Sequence, residues 1–177
     1  MHFRRALALA SIILIAPAIA RAQNPMMAAV KAQHDQVKGY LLKTAEAVPE
    51  NLYSFRATPE VRTIAQLIGH VADGSAGICA SATGEKPPSL NAEKSMTTKA
   101  QLSKALAEAL AFCDKVIAGM DDKRAMETTK FFVGGSSTRG MILAFNTAHN
   151  FEHYGNLVTY MRLNKIVPPS SAGGGAD

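Results

Sequence analysis

The chain has 177 residues, 47% of them hydrophobic and 19% charged, which suits one domain with a real core. Its net charge is +5, yet the basic residues form no block and no aromatic–basic interleaving appears. That argues against nucleic acid as the main partner.

Met1 to Ala22 has the layout of a secretory signal peptide. Arg4 and Arg5 give a positive start, Leu7 to Ile15 an apolar centre, and Pro17 a break. Ala20-Arg21-Ala22 then offers small residues before a cut ahead of Gln23. The apolar run is short for a spanning helix, and an uncleaved anchor is the alternative. No second long apolar run follows, so the expectation is an exported protein, periplasmic or secreted, with no stable membrane insertion. Cleavage removes 22 residues, three of them arginine, and leaves 155 residues with a net charge of +2. The expected domain spans 23–169, and 170–177 reads as a flexible tail. Cys79 and Cys113 are one disulfide or two buried thiols.

Asn24 and Pro25 open a first helix, because proline suits the first turn. Met27, Val30, His34, Val37 and Leu41 recur at helical spacing to about Val48, where Pro49 ends the run. His34 faces inward, and as a lone histidine it reads as structural rather than as a ligand. Thr58-Pro59-Glu60 has the form of a helix start: hydroxyl cap, proline, acid. Ile64, Leu67, Ile68, Val71 and Ile78 mark that second helix to about Ala82. His70 shares a side of it with Gly74 and Gly77. Either another helix packs closely there, or space lies open beside His70.

Residues 83–97 read as a loop. Thr98 and Gln101 form a capping box for a third helix, carried by Leu102, Leu106, Ala109, Cys113, Val116 and Met120 and ending near Gly119. Residues 121–135 form a second long connection, in which Phe131-Phe132-Val133 covers the end of the bundle or makes a short extended piece. A fourth helix runs from Thr138 to Asn164, and Pro168-Pro169 closes it. Four amphipathic helices without a sheet predict an all-α four-helix bundle.

His149 and His153 stand four apart, on one face of the fourth helix. Ile142, Phe145, Leu157 and Tyr160 continue their line, so the pair points at the core. That spacing lets both imidazoles reach one metal ion, though two hydrogen-bonded core histidines give the same pattern. His70 lies about ten residues into its helix, and His149 and His153 about twelve and sixteen into theirs. At 1.5 Å per residue all three stand roughly 15–24 Å along. Three imidazoles with an open position make a catalytic zinc-type site, in which the ion acidifies a water. Imidazole also suits nickel, copper or iron. Asp73 and Glu152 are candidates to move a proton or to orient the ligands, and exposed helix-face acids are the alternative. The order His149-x-x-Glu152-His153 occurs in inverted zinc peptidases, but those need a further acidic ligand well downstream, and 24 residues follow His153.

Four stretches together resemble the DinB-like (DinB/YfiT-like) family of metal-binding bundles. They are Tyr53-Ser-Phe-Arg-Ala-Thr-Pro-Glu-Val-Arg62, Ile64-Ala-Gln-Leu-Ile-Gly-His-Val-Ala-Asp73, His149-Asn-Phe-Glu-His-Tyr-Gly-Asn156 and Tyr160-Met-Arg-Leu-Asn-Lys-Ile-Val-Pro-Pro169. The resemblance implies an up-down-down-up bundle with long crossovers and a divalent transition metal on His70, His149 and His153. Zinc or nickel heads the choices, with iron, manganese or copper behind. It also brings Cys79 and Cys113 to similar depths, which favours a bridge. Many relatives carry Arg-Gly-Gln after the last histidine, whereas this chain has Tyr154-Gly155-Asn156. Some relatives are thiol-S-transferases and others are called hydrolases; export argues against the thiol branch.

The expected function is a metal-dependent hydrolase or transferase for a small molecule, with Glu152 or Asp73 handling the proton. The alternative is a non-catalytic metal- or ligand-binding bundle, with His34 or Glu152 closing the open position. A homodimer fits either reading.

Overall fold

The computed structural model describes residues 24–173. The segment read as a signal peptide lies outside them.

Helix α1 spans Pro25–Ala47. Its first free N–H groups are met from a distance. The Asp122 carboxylate accepts from Met26 N at 3.0 Å and Met27 N at 2.8 Å, while Asn24 Oδ1 accepts from Asp122 N at 2.9 Å. Val48 is extended ahead of Pro49, as the steric rule for a residue before proline requires.

Helix α2 spans Ile64–Thr83, so the start expected at Thr58-Pro59-Glu60 is corrected. Thr63 and Gln66 form a reciprocal capping box, at 3.1 and 2.9 Å. Thr58 has Val61 at the matching position, which cannot return the bond. Residues 58–61 make only a turn. The true start is pinned by backbone bonds from Ile64 N to Phe55 O and from Ala65 N to Tyr53 O, at 3.0 and 2.9 Å. Gly84 ends the helix in the left-handed region, with φ 78°.

The region read as the 83–97 loop contains a one-turn helix α3, Ala92–Ser95. It rests on the N-terminal half of α2 at Gly69, where an added Cβ would lie 2.6 Å from Glu93 N and Cα. Helix α4 spans Lys99–Ala118, behind the expected Thr98/Gln101 box. A one-turn helix α5, Asp122–Ala125, leads into an antiparallel hairpin of β1 Thr128–Phe131 and β2 Gly135–Thr138, with Thr128 opposite Thr138. The expectation of no sheet is corrected there. The β-branched Thr128-Thr129 alternate faces, Phe131 turns inward, and Phe132 stays exposed. Helix α6 spans Arg139–Leu163, between Thr138 as its N-cap and Asn164 as its C-cap.

The four long helices pack with α2 against α4 and α6, and α1 against the same two. Sequence neighbours α1 and α2 are therefore diagonal. The disulfide Cys79–Cys113 joins the C-terminal parts of α2 and α4 across a Cα separation of 5.5 Å, so those helices are parallel. Arg139 Nη1, at the start of α6, donates to Ala82 O near the end of α2 at 2.6 Å, so those two are antiparallel. The order is up-down-down-up, and the α2–α4 connection must run the length of the bundle.

The apolar core falls into two clusters. One holds Leu41, Leu67, Leu106 and Leu157; the other surrounds the disulfide with Ile78, Val116, Ile142 and Leu143. The buried polar residues His34, Ser75, Asn146, Asn150 and His153 form a belt at mid-depth, close to where the two clusters meet. The tail expected from Ser170 is held at its start: Pro169–Ser171 make a 3-10 turn, and Tyr154 Oη donates to Ser170 Oγ at 2.8 Å.

Candidate metal centre

His70, on α2, and His149 and His153, on α6, converge at the level of that polar belt. His70 sits six residues into α2, not ten, and reaches the pair because α2 and α6 run antiparallel. His149 Nε2 lies 3.2 Å from His70 Nε2 and 3.1 Å from His153 Nε2. One ligand atom from each histidine lies within 4.8 Å of the others. Three histidines are thus placed where they could hold one ion.

The contacts fit a cation better than they fit hydrogen bonds. A neutral imidazole nitrogen carries one proton or one lone pair, and His149 Nε2 cannot serve two neighbours well with either. Two nitrogens bound tetrahedrally at about 2.0–2.1 Å from an ion stand about 3.3–3.4 Å apart, close to the spacing here. The electrostatics point the same way. Burial, then the neighbouring His70 imidazole, holds the His149 pKa below its ordinary value. Burial, then His149, His70 and Arg62, pushes His153 down to about 4. The rings therefore offer lone pairs at neutral pH.

The partner that orients His70 is Glu93, which the sequence reading missed. Its Oε2 lies 2.9 Å from His70 Nδ1, and its Oε1 accepts from Arg62 Nε at 2.8 Å. Burial alone would raise the Glu93 carboxyl, but the bonds from Arg62 and His70 outweigh it and hold it low. An ionised carboxylate only accepts, so Nδ1 of His70 carries the proton and Nε2 presents its lone pair to the cluster. The Asn156 amide lies 3.5 Å from His153 Nδ1. His149 Nδ1 is buried without a hydrogen-bond partner among the described residues.

Glycine makes room for this. A Cβ at Gly74 would stand 2.8 Å from His149 Cε1. The side of α2 that carries Gly74 is therefore taken up by the α6 imidazole, the closer-packing of the two readings. Gly77 faces Phe132 of the hairpin at an ordinary 3.9 Å.

The other expected site residues are placed as follows. Asp73 accepts from Ala92 N at 2.8 Å and Glu93 N at 2.9 Å, one oxygen each, and so caps α3. Glu152 is exposed on α6 between the two histidines. His34 is fully buried elsewhere, with Nε2 3.0 Å from Asp114 Oδ1, and does not join the cluster. Asp114 also pairs with Lys38.

Beside the histidines opens a cleft of about 540 Å³, whose lining includes Arg56, Arg62, Gln66, Glu93, Asn156 and Tyr160. Glu93 and Asn156 are the same residues that contact His70 and His153.

Fold and site together define an up-down-down-up helical bundle with a three-histidine centre of metal-binding geometry between α2 and α6. The sequence profile of the DinB superfamily matches residues 19–157, and the chain belongs to that superfamily. Among solved structures, a DinB-like protein from Bacillus cereus superposes with a TM-score of 0.65 at 18% identity, covering 75% of this chain and 89% of that one. A histidine-to-alanine mutant of a mycothiol-dependent maleylpyruvate isomerase superposes with a TM-score of 0.61 at 15% identity, covering 74% of this chain and 60% of that one. At such identities the likeness is one of fold. No curated protein matches the chain.

Proposed function

We propose that this is an exported, metal-dependent hydrolase or transferase acting on a small molecule, with His70, His149 and His153 as ligands of one divalent transition ion. The observation that carries the reading is the convergence of three imidazole Nε2 atoms from two helices, with Glu93 fixing the tautomer of one. A zinc-type ion held by these three residues would supply Lewis acidity to a small substrate. The all-imidazole set suits zinc, nickel, copper or iron, and the family resemblance puts zinc or nickel first.

The chain's own residues divide the remaining tasks. Glu93 holds His70. Asp73 has both oxygens on backbone N–H groups and serves as a cap in this reading. Glu152, exposed and with no hydrogen bond among the described residues, is the proposed proton acceptor. The Cys79–Cys113 bridge and the leader-like Met1 to Ala22 both support export to an oxidising compartment. Nucleic acid and stable membrane insertion stay outside the proposal; a homodimer is compatible with it.

Metal analysis of tag-free protein tests the reading, beside a His149→Ala/His153→Ala variant. The expected result is about one equivalent of a transition metal, lost in the variant. A wild-type protein that neither contains nor takes up metal would leave the three histidines as core residues.

A further inference from the structure

We infer that the small molecule served by this site carries a carboxylate, which Arg62 and Arg56 grip in the cleft beside the histidines. The inference rests on the metal reading above and adds the substrate class to it.

Position comes first. Gln66 lies one turn before His70 on α2, and Asn156 three residues after His153 on α6, and both line the cleft. The cleft therefore adjoins the triad along the α2/α6 seam, within about 6 Å of helix rise. Its volume of about 540 Å³ suits a small metabolite, and Val61 and Leu67 give it apolar wall. A molecule anchored there has its far end over the imidazoles.

Charge comes second. Two arginines and two carboxylates, Glu60 and Glu93, line the cleft. Glu93 has one oxygen on Arg62 and the other on His70, so it has little left for a ligand. Arg62 makes that bond through Nε, and its two Nη groups form no hydrogen bond among the described residues. Its backbone is fixed as well, since Tyr160 Oη donates to Arg62 O at 3.0 Å. Arg56 spends one N–H on Pro59 O at 3.1 Å. The four side chains cancel in formal charge, and a divalent ion on neutral imidazoles leaves the region net positive. An anion is matched and a cation is repelled. An arginine fork fits carboxylate and phosphate alike, but a carboxylate's single charge meets less repulsion from Glu60 and Glu93 than a phosphate dianion's two.

The test is calorimetric titration of the metal-loaded, full mature protein with acetate, succinate and benzoate, each beside its neutral amide. Arg56→Gln and Arg62→Gln are titrated in parallel, with metal content measured on every sample. Arg56 makes no hydrogen bond to the histidines or to Glu93, so its variant separates ligand grip from metal positioning. The expected result is binding of at least one carboxylate but not its amide, weakened about tenfold or more in each variant, with metal retained in Arg56→Gln. Loaded protein that binds none of the carboxylates, or binds them equally in both variants, overturns the inference and leaves the metal reading standing. Arginine-dependent binding to a protein that takes up no metal would do the reverse.

Discussion

Glu93 shows how much a single residue can decide. Its two oxygens join Arg62 to His70, and through His70 they set which nitrogen faces the cluster. Replacing it by glutamine keeps the shape but removes the charge that demands a proton on Nδ1. Glu93→Gln should lower metal affinity about 10–100-fold, as loss of an outer partner of a ligating histidine does elsewhere. Competition with a chromophoric chelator measures it, and circular dichroism should stay unchanged. An unaltered affinity would show that His70 needs no such partner. At this scale the sequence told half the story. The His149/His153 pair was legible from its spacing and from the apolar line that the two residues interrupt. Glu93 was not, because it lies in a polar stretch with no period, 23 positions from the ring it holds. Asp73 was legible as a carboxylate near His70, but its engagement with α3 depends on where the crossover lands.

The elements are held together by close approaches that only small residues allow. Gly69 lets the backbone of α3 touch α2, with Glu93 Cα and N at 2.6 Å from the place a Cβ would take. Backbone cannot move aside as a flexible side-chain tip can. Gly69→Ala should therefore push α3 off α2, costing about 1–3 kcal/mol of stability as overpacking does. It should also weaken metal binding in the same direction as Glu93→Gln, because Glu93 rides on α3. Thermal melts and the chelator assay together check this; a loss of stability with metal affinity intact would separate the two. Most element boundaries could be read beforehand where the end chemistry was local, as with Pro25, Thr98/Gln101, Thr138 and Pro49. The start of α2 was misplaced because Thr58-Pro59-Glu60 has the composition of a cap. Thr63 and Gln66 have the reciprocal geometry, with tertiary bonds from Ile64 and Ala65 behind it. The hairpin and α3 are short pieces that tertiary contact supports more than propensity does.

The whole bundle carries its stability unevenly. The disulfide closes a sequence separation of 34 residues within one of the two apolar clusters. Chain-entropy reasoning puts its contribution at about 3–4 kcal/mol, so reduction or a Cys79→Ala/Cys113→Ala variant should lower the midpoint of denaturation accordingly. Urea melts with and without reductant measure it. The polar belt adds a pH dependence. His153 is held at about 4 in the folded chain, against an ordinary value near 6.5. The unfolded chain thus binds more protons between those values, and metal-free protein should be fully stable above about pH 6.5 and lose stability as the pH falls toward 4. The loss from this group is on the order of 2–3 kcal/mol. A series of melts on chelator-treated protein tests the sign, and stability rising toward acid would contradict it. The overall order of helices followed from family resemblance rather than from periodicity, since helical spacing says which face is buried but not which neighbour buries it.

The up-down-down-up order obliges the chain between α2 and α4 to travel back along the bundle, and that return path carries Glu93. The outer partner of His70 thus comes from the one-turn helix α3 of a crossover and not from one of the four long helices. Asp73, which accepts from the N–H groups of Ala92 and Glu93, ties that crossover to α2. The long helices alone bring the three imidazoles together, while the proton arrangement of His70 depends on where the crossover lands.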